Sequence, residues 1–134
     1  MTDVFKKLKL TDERTALIIN APSDFAASLQ DLPHDSQFGK TTQHYDYVQF
    51  FVKSMAEFEN LMPQAVAAGK YDCLIWACYP KGSGKAKVDI NRNRIHDASP
   101  QFGVDTVTQI SIDETWSAMR LRPLEAVGKK VATH

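Results

Sequence analysis

The apolar positions of the chain fall into runs of strand length, each closed by turn-forming or polar residues. The strongest is Tyr71 to Lys87, YDCLIWACYPKGSGKAK, where an unbroken hydrophobic run gives way abruptly to proline, glycine, serine and lysine. Successive strand side chains point to opposite faces, so Cys73, Ile75, Ala77 and Tyr79 share one side and Leu74, Trp76 and Cys78 the other. Both sides are apolar, which marks a strand covered on both faces, as in a parallel sheet sandwiched by helices.

Before that run, Val4, Phe5 and Leu8 predict a short amphipathic helix packed at a sheet edge. Thr15 to Asn20 is a first strand stopped by Ala21-Pro22-Ser23, with Ser23 read as the cap of a helix that turns Phe25, Ala26 and Leu29 inward. Pro33 to His44 reads as a loop with at most a short edge strand. Tyr45 to Val52 is aromatic and apolar enough for a central strand. Ser54 and Glu57 form a capping box for a helix through Phe58, Leu61, Met62 and Ala65, with a kink or a new start at Pro63 and a stop at Gly69.

Beyond the central run, Asp89 is read as the cap of a helix through INRNRIHDA, broken at Ser99-Pro100 and closed by Gly103. Val104 to Ile112 alternates, with Thr106, Thr108, Ile110 and Ile112 on one face, and so reads as an edge strand. The link to Trp116–Leu121 is too short for a helical crossover, so that last strand is antiparallel. The alternation of elements predicts an α/β, three-layer Rossmann-like fold with a mainly parallel sheet and a terminal antiparallel hairpin. Residues 1–134 form one domain in this reading, with 123–134 a flexible tail.

The strand and helix order resembles a truncated class I methyltransferase. More closely, the chain is similar to an uncharacterised bacterial family of small domains of unknown function. The residues that carry this are Asn20-Ala21-Pro22, Leu74-Ile75-Trp76 with Pro80-Lys81 and Gly82, and Asp113-Glu114-Thr115-Trp116-Ser117 with Arg120. The resemblance implies a fold and no assigned activity. In methyltransferases the first strand runs into a glycine-rich turn that lets the backbone approach S-adenosylmethionine, and an acidic residue after the second strand holds the ribose. Here the turn is NAPSDF, without glycine, and Asp35 is the only acidic candidate after the first helix.

Composition narrows the function classes. Lys plus Arg and Asp plus Glu both number 16, so no global field attracts nucleic acid or an anionic membrane. No charged-then-apolar leader opens the chain and the apolar runs are too short to span a bilayer, which gives the expectation of a soluble cytoplasmic protein. Cys73 and Cys78 lie on opposite strand faces, and His34, His44, His96 and His134 have no ligand spacing, so no metal site is expected.

Ligands of open α/β sheets bind beyond the carboxyl ends of the strands. That rim collects the candidate ligand-binding residues Asn20, Ser23, Ser54, Lys81, Ser83, Lys85, Asp113, Glu114 and Trp116. The KGSGK loop offers free amides, a hydroxyl and two charges to a small anion, though it lacks the Walker A pattern at Tyr79 and Ala86. Asp113 and Glu114 can act as acid and base, Trp116 can stack on a ligand or lid the core, and Arg120 and Arg122 can hold a carboxylate or phosphate. The absent glycine turn and small size favour a non-enzymatic ligand-binding or regulatory domain with no cofactor; the alternative is an atypical S-adenosylmethionine-dependent methyltransferase. The open sheet edges also suggest a homodimer.

Overall fold

The computed structural model describes residues 2–11, 14–29, 32–38, 44–81 and 89–126. The central run forms β3, Gly69–Pro80. Parallel to it lie β1, Ala16–Ile19, and β2, Tyr45–Phe51, while β5, Trp116–Pro123, inserts antiparallel between β3 and β4, Val104–Ser111. The five-stranded order is β1-β2-β3-β5-β4, which gives the mainly parallel sheet with its terminal hairpin.

The two faces of β3 carry separate cores. Cys73, Ile75, Ala77 and Tyr79 pack with Phe58, Met62 and Ala65 of α3, Met55–Ala68, and with Ile95 of α4, Arg92–Ala98. Leu74, Trp76 and Cys78 pack with Val4 and Leu8 of α1, Thr2–Leu8, and with Phe25 and Leu29 beside α2, Ser23–Ser28. Helices on both faces are what the unbroken hydrophobic run requires.

Helix α1 packs beside the edge strand β4 as the sequence predicts, and the buried Trp76 indole of β3 reaches its end, donating to the Leu8 carbonyl at 3.0 Å. Several local expectations are corrected. Pro22, not Ser23, occupies the cap position of α2, and no side chain caps it. Ala26 is exposed. Helix α3 runs unbroken through Pro63, which sits on its exposed side, where water can satisfy the carbonyl that proline leaves unpaired. Gly69 ends α3 as the sequence predicts, with extended backbone (φ −92°, ψ 156°).

Two further corrections concern β4 and its surroundings. Asn91 caps α4 by accepting from the Arg94 amide at 2.9 Å, whereas Asp89 accepts from the Met55 amide at 3.0 Å and so caps α3. In β4 the register slips between Thr106, opposite Leu121, and Thr108, opposite Arg120. That bulge at Val107 splits the expected face: Thr106 meets His96 of α4, while Ile110 and Ile112 join the α1 side. Gly103 does take the left-handed conformation (φ 81°) after the 3-10 turn Ser99–Phe102. Strand β5 continues to Pro123, and Ala126 beyond it is buried.

Candidate functional site

After β1 the chain passes through α2 to Asp35, whose backbone pairs with the outer side of β1: Ile18 donates to the Asp35 carbonyl at 2.8 Å, and Asp35 donates to Ala16 at 2.9 Å. It then returns to β2 on the other side of β1. The carboxyl end of β1 is therefore a topological switch point, the place where open α/β sheets form a ligand crevice.

Asn20 leaves β1 there with φ 61°. The left-handed region usually requires glycine, and asparagine is among the few other residues that tolerate it. The turn is therefore left-handed although it contains no glycine. The Asn20 side chain is exposed, and its amide donates to the Phe51 carbonyl at 3.5 Å. Ser23 is exposed in the first turn of α2.

The next loops meet this edge. Ser54 accepts from the Glu57 amide at 3.1 Å, while the Glu57 carboxylate accepts from Lys53 at 2.6 Å. With Asp89 on the Met55 amide, both the Met55 and the Glu57 donors at the start of α3 are taken. Lys81 is tied to the β4–β5 hairpin, its amide donating to Thr115 at 2.8 Å and its ammonium to the Ser111 hydroxyl at 2.6 Å. Ser111 carried no signal in the sequence; its role follows from the hairpin pairing.

Asp113 accepts from the Thr115 and Trp116 amides, both at 2.8 Å, so its carboxylate builds the turn. Glu114 is exposed. Trp116 is 8% exposed and meets the Phe51 ring edge-on, with centroids 5.2 Å apart and planes at 86°, so it lids the core. Ser83 and Lys85 lie outside the described residues.

The other candidates are placed elsewhere. Asp35 accepts a hydrogen bond from the Tyr45 hydroxyl at the start of β2. Burial, then the Asp35 hydrogen bond and charge, push the Tyr45 hydroxyl up to about 12. Arg122 makes a two-bond pair with Asp72, at 2.8 and 2.7 Å. Burial pushes the Cys73 thiol up to about 11 and the Cys78 thiol further, so both are held as unreactive thiols. Gln49, fully buried, accepts from Tyr47 at 2.7 Å and reaches Cys78 at 3.3 Å, satisfying the core beneath the rim. Among the described residues no cluster of three His, Cys, Asp or Glu can hold a metal ion, and no helix is long and apolar enough to cross a membrane.

No family model and no curated protein matches the chain. Among solved structures it is similar to the N-methyltransferase NodS of Bradyrhizobium japonicum WM9 in complex with S-adenosyl-L-homocysteine, with a TM-score of 0.50, 15% identity, and coverage of 88% of this chain and 71% of that one. A putative methyltransferase from Pseudomonas syringae aligns with a TM-score of 0.48 at 13% identity, covering 92% and 99% of the two chains. LepI in complex with SAM aligns with a TM-score of 0.49 at 12% identity over 91% of this chain, which spans 39% of the LepI chain. The fold is methyltransferase-like. The expectation of a non-enzymatic binding or regulatory domain is corrected to this extent: the solved structure that shares this fold is an N-methyltransferase bound to S-adenosyl-L-homocysteine, which favours the alternative reading.

Proposed function

We propose that this protein is an atypical S-adenosylmethionine-dependent methyltransferase, and that its kinship with the uncharacterised bacterial family rests on the same rim. The observation that carries the reading is the left-handed turn at Asn20 on the switch point of a methyltransferase-like sheet. The turn redirects the chain at the switch point, and the exposed Asn20 and Ser23 place polar groups beside it. Bound there, the cofactor would supply an electrophilic methyl group. The chain's own residues would orient it.

The fit is good at the turn and unusual at the ribose. Asp35 lies beside β1, but its carboxylate is engaged by Tyr45. Ribose hydroxyls would therefore be met by Asn20 and Ser23, which is the sense in which the enzyme is atypical. The exposed Glu114 stands on the same edge as a group available to a methyl acceptor, with Lys81 held beside it by Ser111.

Calorimetric titration with S-adenosylmethionine and S-adenosylhomocysteine tests the reading. Saturable heat is expected with both, retained in Asn20→Gly and weakened in Asn20→Val, because a β-branched residue resists the left-handed turn. No heat with either ligand at roughly 1 mM, equivalent to binding weaker than about 4 kcal/mol, overturns it.

A further inference from the structure

At the edge of the sheet opposite the rim, where β3 begins and β5 ends, an open cleft of about 370 Å³ is lined by Lys9, Arg14, Asp46, Lys70, Asp72 and Arg120, among others. Its two carboxylates are already held. Asp46 accepts from Lys70 at 2.7 Å, and Asp72 takes the Arg122 guanidinium through two bonds. Lys9, Arg14 and Arg120 therefore have no carboxylate partner among the described residues.

The local architecture holds these cations in place. Lys9 takes a left-handed conformation (φ 63°) just after α1, and the Arg14 Nε donates to its carbonyl at 2.9 Å. The neighbouring Leu8 carbonyl is used by Trp76, so both of these carbonyls at the end of α1 are occupied by donors and their negative ends are partly offset. Arg120 stands opposite Trp76 in the ladder, and its Nε is buried with no hydrogen-bond partner among the described residues. Burial first, then the Arg122 charge, push the Arg120 guanidinium below its ordinary value; Arg14 adds to the effect and Asp72 opposes it. A buried donor beside uncompensated like charges is costly until an acceptor arrives.

We infer that this cleft binds the phosphate group of a small ligand, gripped by the guanidinium groups of Arg14 and Arg120 with the Lys9 ammonium beside them. Planar guanidinium forks match the oxygens of phosphate two at a time, which ammonium groups do not. Three cations without an ion-pair partner among the described residues suit a doubly charged group better than a carboxylate. The sequence places Arg120 far from Lys9 and Arg14, and the pairing of β3 with β5 against the end of α1 joins them.

The experiment follows the Nε–Hε resonances of Arg14 and Arg120 by nuclear magnetic resonance during titration with inorganic phosphate, ribose 5-phosphate and acetate at matched ionic strength. Saturable shifts are expected with the two phosphates, and about tenfold weaker ones with acetate. Tighter binding of ribose 5-phosphate assigns the site to a monoester, and tighter binding of inorganic phosphate assigns it to the free ion. Arg14→Gln, an exposed substitution that leaves the core untouched, should weaken phosphate by about tenfold, while Lys81→Ala on the rim should not. No saturable shift up to roughly 10 mM phosphate, equal affinity for acetate, or unchanged binding in Arg14→Gln overturns the site.

Discussion

The indole N–H of Trp76, in the middle strand, donates to the carbonyl of Leu8 at the end of the first helix, 68 residues earlier in the chain, at a distance of 3.0 Å. This bond ties the end of α1 to the middle strand, since a tryptophan 1% exposed must satisfy its only donor inside the protein. Trp76→Phe removes that donor and leaves a buried carbonyl without it. Equilibrium denaturation should show a loss of about 1–3 kcal/mol, with amide exchange in α1 accelerated more than in α3. Equal acceleration in both helices would mean that the bond does not anchor α1.

Gly69 is required by proximity. A Cβ built there would lie 2.4 Å from the Cys73 sulfur and 3.3 Å from a Val48 methyl carbon, while its φ of −92° suits any residue. Gly69→Ala should therefore cost about 1–3 kcal/mol by overpacking. Adding Cys73→Ala removes the closest atom, so the double variant should lose less than the sum of the two single losses. A double-mutant cycle in urea that returns simple additivity would refute the clash.

Helix α3 is capped twice, once by its own Ser54 and once by Asp89 from a distant segment. Asp89→Ala removes the acceptor for the Met55 amide, whereas Ser54→Ala removes the acceptor for Glu57. Each should lower stability by about 1 kcal/mol. Asp89→Ala should also raise amide exchange at Met55 and leave the Arg94 amide protected, because Asn91 rather than Asp89 caps α4. Loss of protection at Arg94 would restore the assignment of Asp89 to α4.

The Arg122 hydrogen bonds hold the Asp72 carboxyl below its ordinary range, partly opposed by burial. A depressed carboxylate contributes stability that is fully present above its unfolded value, about 3.9, and is lost as pH falls through its lower folded value. At neutral pH Asp72→Asn should be less stable than the parent by about 1 kcal/mol. Thermal midpoints measured from pH 7 down to pH 2 should converge below roughly pH 4. A gap that stays constant across the range would show that the pair's charge contributes nothing.

Much of this protein is determined by local pattern. The alternation within β3, two apolar faces on one strand, is enough to require a covered parallel sheet, because burying both faces needs a layer on each side. The capping contact between Ser54 and Glu57 and the left-handed Gly103 follow from side-chain reach and backbone freedom over a few residues, so they too can be read along the chain. Tertiary structure decided the features that join distant segments. Asp89 reaches Met55 rather than its own helix because it lies beside the start of α3, and no local propensity encodes that approach. Arg122 and Arg120, two positions apart and chemically alike, separate because the pairing of β5 sets Asp72 beside one and leaves the other's Nε buried and unmatched. Asn20 shows the same division from the other side: the sequence supplied a residue able to turn left-handed, and the sheet, with Asp35 on one flank of β1 and β2 on the other, made it turn at the site where a ligand would sit.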